Sequence, residues 1–226
     1  MFAFGMIVLT VILYLMMTRL YKKYTYPFFV PILTTSILII LLLVLTHIPY
    51  NRYMEGGQYI NSLLGPAVVA LAYPLYKQRH FLIQHIFTIV SGVLIATVCG
   101  MVSVGLLAKV LGINHKLILS IIPKSLTTPV AMEVSTELGG TSSITIFSVL
   151  IAGIFGAIAA PTIFKILRVK SPVGRGIALG SASHAMGTSK AAEYSELTFS
   201  MSSVAMALCA IIGTILGPLV VGLLHF

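Results

Sequence analysis

The sequence predicts an all-α polytopic membrane protein of transporter-like design, in which inverted structural repeats with re-entrant or discontinuous helices surround a midplane site. Three observations predict it. Apolar residues fill 58% of the 226 positions and charged residues only 8%, against about 45–50% and about 25% in soluble domains. Several apolar runs reach the eighteen or so residues that a membrane crossing needs. Two stretches offset by sixty residues share one order of features: polar break, glutamate, serine pair, glycine-bearing apolar run. Glu133 matches Glu193, Thr128 matches Thr188, Ser142-Ser143 match Ser202-Ser203, and Gly153 matches Gly213, the pattern of an internal duplication.

The net charge of +9 does not point to nucleic acid, because the basic residues sit near the ends of apolar runs instead of forming a stripe. Cys99 and Cys209 lie within apolar runs without metal spacing and read as small buried hydrophobes. No cofactor and no metal is expected. The run Phe2–Met17 precedes its basic cluster, the reverse of a signal peptide, so it reads as a retained first helix. Tryptophan is absent, which leaves tyrosines such as Tyr21, Tyr24, Tyr26, Tyr50, Tyr53 and Tyr76 for the interface belts.

In chain order, helix one is expected from Phe2 to Thr18, stopping at Arg19, Lys22 and Lys23. Pro27 suits the start of helix two, which runs to Thr46 through an all-apolar stretch and faces lipid or a subunit. The hydrophilic HIPYNRYMEGGQ reads as a loop. INSLLGPAVVALAYPLY reads as a crossing helix broken near Gly65-Pro66, with a re-entrant hairpin as its rival. A long helix from Phe81 to Leu107 carries small residues that allow close helix approach. The first repeat breaks between Pro123 and Glu133 and closes with an apolar run from Ile144 to Phe164. The second opens at Gly176, breaks around His184 to Lys190, and ends in a helix from Phe199 to Leu224. Four regions follow: a two-helix scaffold or oligomerisation region (1–58), a broken helix with a long helix (59–112), repeat one (113–170) and repeat two (171–226).

Charge sets the expected topology. If each polar segment enters and leaves by one face, six crossings remain, with nine Lys/Arg inside, three outside and Lys124 and Lys190 in the breaks. That bias has the inner-face sense. One re-entrant segment plus one crossing makes an odd number of passes, so the repeats are inverted and their breaks approach from opposite faces. Full crossing by both polar segments as discontinuous helices remains the alternative.

The breaks hold the candidate site. Lys124, Ser125, Thr127 and Thr128 in the first, and His184, Gly187, Thr188, Ser189 and Lys190 in the second, offer ammonium groups, hydroxyls and free amides suited to a small carboxylate anion. Lys124 and Lys190 carry two further readings, pairing with Glu133 or Glu193 and snorkelling to an interface. His184 reads as a proton-coupling group or a hydrogen-bonded packing residue. Glu133 and Glu193 read as coupling carboxylates or as capping and pairing residues. No hydrolase carboxylate pair, nucleophile elbow, phosphate loop or metal cluster occurs, which argues against an enzyme.

The stretches LGPAVVALAYPLYKQR, IIPKSLTTPVAMEVSTELGG and GRGIALGSASHAMGTSKAAE resemble the LrgB/CidB family of bacterial inner-membrane proteins over nearly the whole chain. Matching positions include Gly65, Pro66, Pro74, Pro123, Lys124, Thr127, Thr128, Gly139, Gly140, Gly180, His184, Gly187 and Glu193. The resemblance implies one of two functions. The first is holin- or antiholin-like control of murein hydrolase activity, autolysis and programmed cell death, with a small LrgA/CidA-type partner. The second is transport of small monocarboxylates such as pyruvate, glycolate or lactate, as in a related plastidial glycolate/glycerate exporter. The residues lean toward transport coupled to a proton or cation, and a homodimer in the lipid bilayer is compatible with the apolar helix two.

Overall fold

The computed structural model describes residues 2–24, 31–70, 72–77 and 79–224. Among them the helices are α1 (Phe2–Tyr24), α2 (Pro31–Leu45), α3 (Tyr50–Ser62), α4 (Leu64–Ala70), α5 (Ala72–Lys77), α6 (Arg79–Gln84), α7 (Ile86–Val110), α8 (His115–Ile121), α9 (Thr128–Glu137), α10 (Ser142–Ile166), α11 (Pro172–Ala191) and α12 (Glu196–Leu223). A 3-10 turn, Ile122–Ser125, joins α8 to α9. The fold is all-α. Four helices, α1, α7, α10 and α12, are long and apolar enough to cross a membrane. At 1.5 Å per residue they rise about 35–42 Å, more than the ~30 Å hydrocarbon core.

The chain divides into two compact units, Met1–Ala67 and Val68–Phe226. In the first, α1 runs on to Tyr24, past the expected stop at Arg19, with Lys22 and Lys23 in its last turn, where cations suit the helix dipole. The expected loop after helix two is instead the helix α3, started by Pro49 at its N-cap. Packing against α1 overrides its polar composition. The Thr10 and Tyr53 hydroxyls bond at 3.0 Å, Arg52 lies over the Phe2 ring at 4.8 Å, and Gly56 sits so close to the Ala3 carbonyl that a Cβ would overlap it. The described part of helix two, α2, has 15 residues and exposes Ile40, Leu41, Val44 and Leu45. Pro27 and Tyr26 lie outside the described residues.

The segment expected as one broken crossing helix is the end of α3 followed by two short pieces, α4 and α5, the first with Pro66 in its opening turn, and the short α6 occupies the expected start of the long helix. The long helix begins at Ile86 rather than Phe81, because the backbone leaves the helix at His85 (φ −120°, ψ 21°). Within the second unit α7 buries Ile89, Val93, Thr97, Met101, Gly105 and Ala108, a stripe one turn apart along one face. The helix α12 is the hub. It buries every residue from Met201 to Ala207 and contacts α5, α7, α9, α11 and the 3-10 turn. Those two turns are buried around the helix circumference, as in a core helix, whereas its C-terminal half exposes Ile211, Ile215, Leu219 and Leu223.

Both polar segments fold back on themselves. In the first, the Ser120 hydroxyl at the end of α8 accepts the Thr141 amide at 2.8 Å, and its carbonyl accepts the Thr145 hydroxyl at 2.9 Å. In the second, α11 breaks at His184, whose φ of 47° and ψ of −127° are non-helical. The chain then returns, so the Arg175 guanidinium near its start lies 5.2 Å from the Tyr194 ring beyond its end. A straight helix of that length would hold its ends about 30 Å apart. The crossing requires glycine: a Cβ on Gly187 would fall on the Leu179 carbonyl.

Candidate functional site

The two breaks touch. His184 Nε2 lies 3.0 Å from the Lys124 carbonyl; because a carbonyl only accepts, Nε2 carries the proton. Lys124 and His184 are sixty positions apart, the repeat offset itself. The Lys124 ammonium donates to the Ser125 hydroxyl at 3.1 Å and is half-buried. On the other side of His184, the Thr188 hydroxyl donates to the His184 carbonyl at 2.9 Å and meets the Ser202 hydroxyl of α12 at 3.1 Å. Lys124, Ser125, His184 and Thr188 therefore form one connected polar path.

Thr127 caps α9 by position but its side chain makes no capping bond, and its hydroxyl is buried without a partner. Ser181 and Ser183, flanking His184, also have buried, unpartnered hydroxyls. Burying a hydroxyl with no hydrogen bond costs about 1–3 kcal/mol. Three of the four such hydroxyls among the described residues lie in or just before the two breaks, and the fourth, on Thr35, is in α2. Thr128 is half-buried at the first position of α9.

The remaining candidates lie elsewhere. Lys190 reaches Glu193 at 2.5 Å, with 25% and 41% of the side chains exposed. Ser189 is exposed and bonds back to the Ala185 carbonyl at 3.0 Å. Glu133 is exposed on α9. Among the described residues Glu193 is engaged by Lys190. Among those residues no three His, Cys, Asp or Glu side chains group as a metal site.

Sequence reasoning missed Cys209. Its thiol lies 3.3 Å from the Ser125 carbonyl, 3.9 Å from the Ser181 carbonyl and 3.2 Å from the Thr97 hydroxyl. One α12 side chain thus bridges both breaks and α7. It also missed Ser202 as a partner of Thr188, although Ser202 belongs to the serine pair that helped reveal the repeat.

The packing around the breaks exchanges between the two stretches offset by sixty residues. A Cβ on Gly153 of α10 would lie 3.2 Å from Met186 Sδ in the second break, and a Cβ on Gly213 of α12 would overlap Leu126 Cδ2 in the first. Gly153 and Gly213 are sixty apart, and so are Leu126 and Met186.

The comparisons with known proteins extend over almost the whole chain. The family model described as the LrgB-like family matches residues 10–223. An uncharacterised protein of Bacillus subtilis, YxaC, is 56% identical, covering 97% of this chain and 95% of its own length. A protein named Holin-like protein CidB from Staphylococcus aureus is 39% identical over 97% of this chain and 96% of its own. A Holin-like protein CidB from Staphylococcus epidermidis is 37% identical at the same coverage. No solved structure gives a significant match. With its membrane-length helices and a match from end to end, the chain belongs to the LrgB-like family, as a multi-pass protein of the bacterial cell membrane.

Proposed function

We propose that this protein is a holin-like component of the cell membrane that controls murein hydrolase activity, autolysis and programmed cell death together with a small LrgA/CidA-type membrane partner. The observation that carries this reading is the end-to-end similarity to proteins named holin-like CidB.

The geometry favours a second reading, in which the protein moves small monocarboxylates such as pyruvate, glycolate or lactate, coupled to a proton or cation. Its support is the His184–Lys124 contact with the unpartnered hydroxyls of Thr127, Ser181 and Ser183 about it. In this reading the two hairpins are re-entrant and the repeats inverted, which places the breaks together at mid-membrane. The exchange of Gly153–Met186 for Gly213–Leu126 supports that arrangement. A two-fold operation trades one contact for the other, and a residue touching its own repeat mate, as Lys124 touches His184, lies on the axis. Lys124, Ser125, Thr127, Thr128, His184, Gly187 and Thr188 then hold the substrate, with Ser189 and Lys190 on its path and Glu133, His184 and Glu193 as coupling groups. A homodimer would cover the apolar surface of α2.

One experiment separates the readings. Proteoliposomes containing the protein, with and without the small partner, are assayed for uptake of labelled pyruvate, glycolate and lactate and for release of a larger trapped dye. Dye release without saturable uptake supports the holin-like reading. Saturable uptake with the dye retained replaces it with the carrier reading, and inert liposomes that bind the partner overturn both in favour of a regulatory subunit.

A further inference from the structure

Arg175 is held more rigidly than a topology-setting charge requires. The turn after α10 is closed by Arg168 at a φ of 52°, with the Val169 amide bonded back to the Phe164 carbonyl at 2.9 Å. That turn presents the Val169 carbonyl, which accepts Arg175 Nε at 2.8 Å. The guanidinium then sits against an edge-to-face pair of rings, 5.8 Å from the centroid of Phe164 and 5.2 Å from that of Tyr194, which lie 6.0 Å from each other. Such cation–π contacts orient the planar fork. Among the described residues the fork's terminal nitrogens have no hydrogen-bond partner. Glu193, next to Tyr194 in sequence, is engaged by Lys190.

Two neighbouring features define what would fit. Lys165, in the last turn of α10, and Lys170, in the connection to α11, are both exposed beside the turn that accepts Arg175, so three cations are available to an anionic group there. Immediately beside them Ile163, Ile166 and Leu167 are exposed apolar side chains, at 45%, 72% and 67%. A crossing α10, at 25 residues longer than the hydrocarbon core is thick, brings its C-terminal end to headgroup depth. A charged fork at that depth beside exposed aliphatic side chains matches an amphiphile. We propose that Arg175, with Lys165 and Lys170, forms a binding site for the phosphate of an anionic phospholipid, its acyl chains lying along Ile163, Ile166 and Leu167. A free phosphate would use the same cations but gain nothing from the apolar side chains. The proposal is independent of the choice between lysis control and transport.

The test is native mass spectrometry of the full chain in neutral detergent. The protein is titrated with phosphatidylglycerol or phosphatidylcholine of identical acyl chains, alone and against inorganic phosphate. The wild type should retain phosphatidylglycerol over phosphatidylcholine, and millimolar phosphate should not displace it. Arg175→Gln should weaken phosphatidylglycerol retention about fivefold, the effect of one cation near a membrane surface, and Arg175→Lys should weaken it less. If Arg175→Gln does not fold, the Lys165→Gln/Lys170→Gln double variant, away from the packed rings, should give at least the same loss. Unchanged retention in the folded variants, or equal retention of the two lipids, overturns the site. Displacement by inorganic phosphate overturns the lipid assignment in favour of a soluble phosphate.

Discussion

Replacing His184 by glycine should leave the protein more stable than replacing it by alanine, the reverse of the usual order inside a helix. In an ordinary helix interior alanine is favoured over glycine by about 0.8–1 kcal/mol. At position 184 the backbone sits at φ 47° and ψ −127°, where a residue with a Cβ carries strain of about 1–3 kcal/mol. Both substitutions lose the bond to the Lys124 carbonyl, so that loss cancels in the comparison. Taking about 2 kcal/mol of relieved strain against about 1 kcal/mol of propensity leaves glycine ahead by about 1 kcal/mol. For a chain of this size that is about 2–4 °C in apparent Tm. Thermal scans at one fixed rate, read by size-exclusion retention in a single detergent, measure it. Both variants should fall below wild type, because the buried carbonyl loses its donor at a cost of about 1–3 kcal/mol. If the alanine variant equals or exceeds the glycine variant, the break at His184 is not strained and the reasoning fails.

Gly213→Ala places a methyl against Leu126, which is fully buried and cannot swing aside. It should cost about 1–3 kcal/mol of stability by overpacking, whereas Gly92→Ala, whose Cβ would meet Ile177 at an ordinary 3.5 Å, should be neutral or slightly stabilising; the same thermal scans compare them. Lys190→Gln and Glu193→Gln should each change stability by less than about 1 kcal/mol, since their pair is partly exposed. If Lys190 serves an anion path, pyruvate flux in proteoliposomes should fall well beyond the loss of folded yield; equal losses would mark it as structural. In the N-terminal unit, Thr10→Val and Tyr53→Phe should each cost about 0.5–1.5 kcal/mol, and the double variant little more than either alone, a non-additivity that a double-mutant cycle reads directly.

The membrane class was legible because it depends on summed composition, and the contact of the two breaks was foreshadowed because Glu133/Glu193 and Gly153/Gly213 share one offset. What composition hid was tertiary. The stretch containing Tyr53 and Gly56 reads as a loop until the α1 surface is known, since a polar segment becomes a helix when one face has somewhere to pack. For Lys190 the pairing with Glu193, three positions on, is among the readings its sequence allows, and the two side chains do meet. Cys209 looks inert because nothing local announces that three separate elements converge on its sulfur. His184 stood out by residue type, but its strained backbone could not be read from a sequence that places no glycine there.

The bond between His184 and the Lys124 carbonyl also has a consequence for synthesis. The donor lies sixty residues downstream of the acceptor, and Gly213, which receives Leu126, lies later still. At about 5–20 residues per second, the first hairpin waits roughly 3–12 s in the nascent chain before its partner is translated. During that interval its polar turn has neither His184 nor α12 to cover it. The insertion machinery, or another membrane helix close by, is the natural temporary cover for that interval.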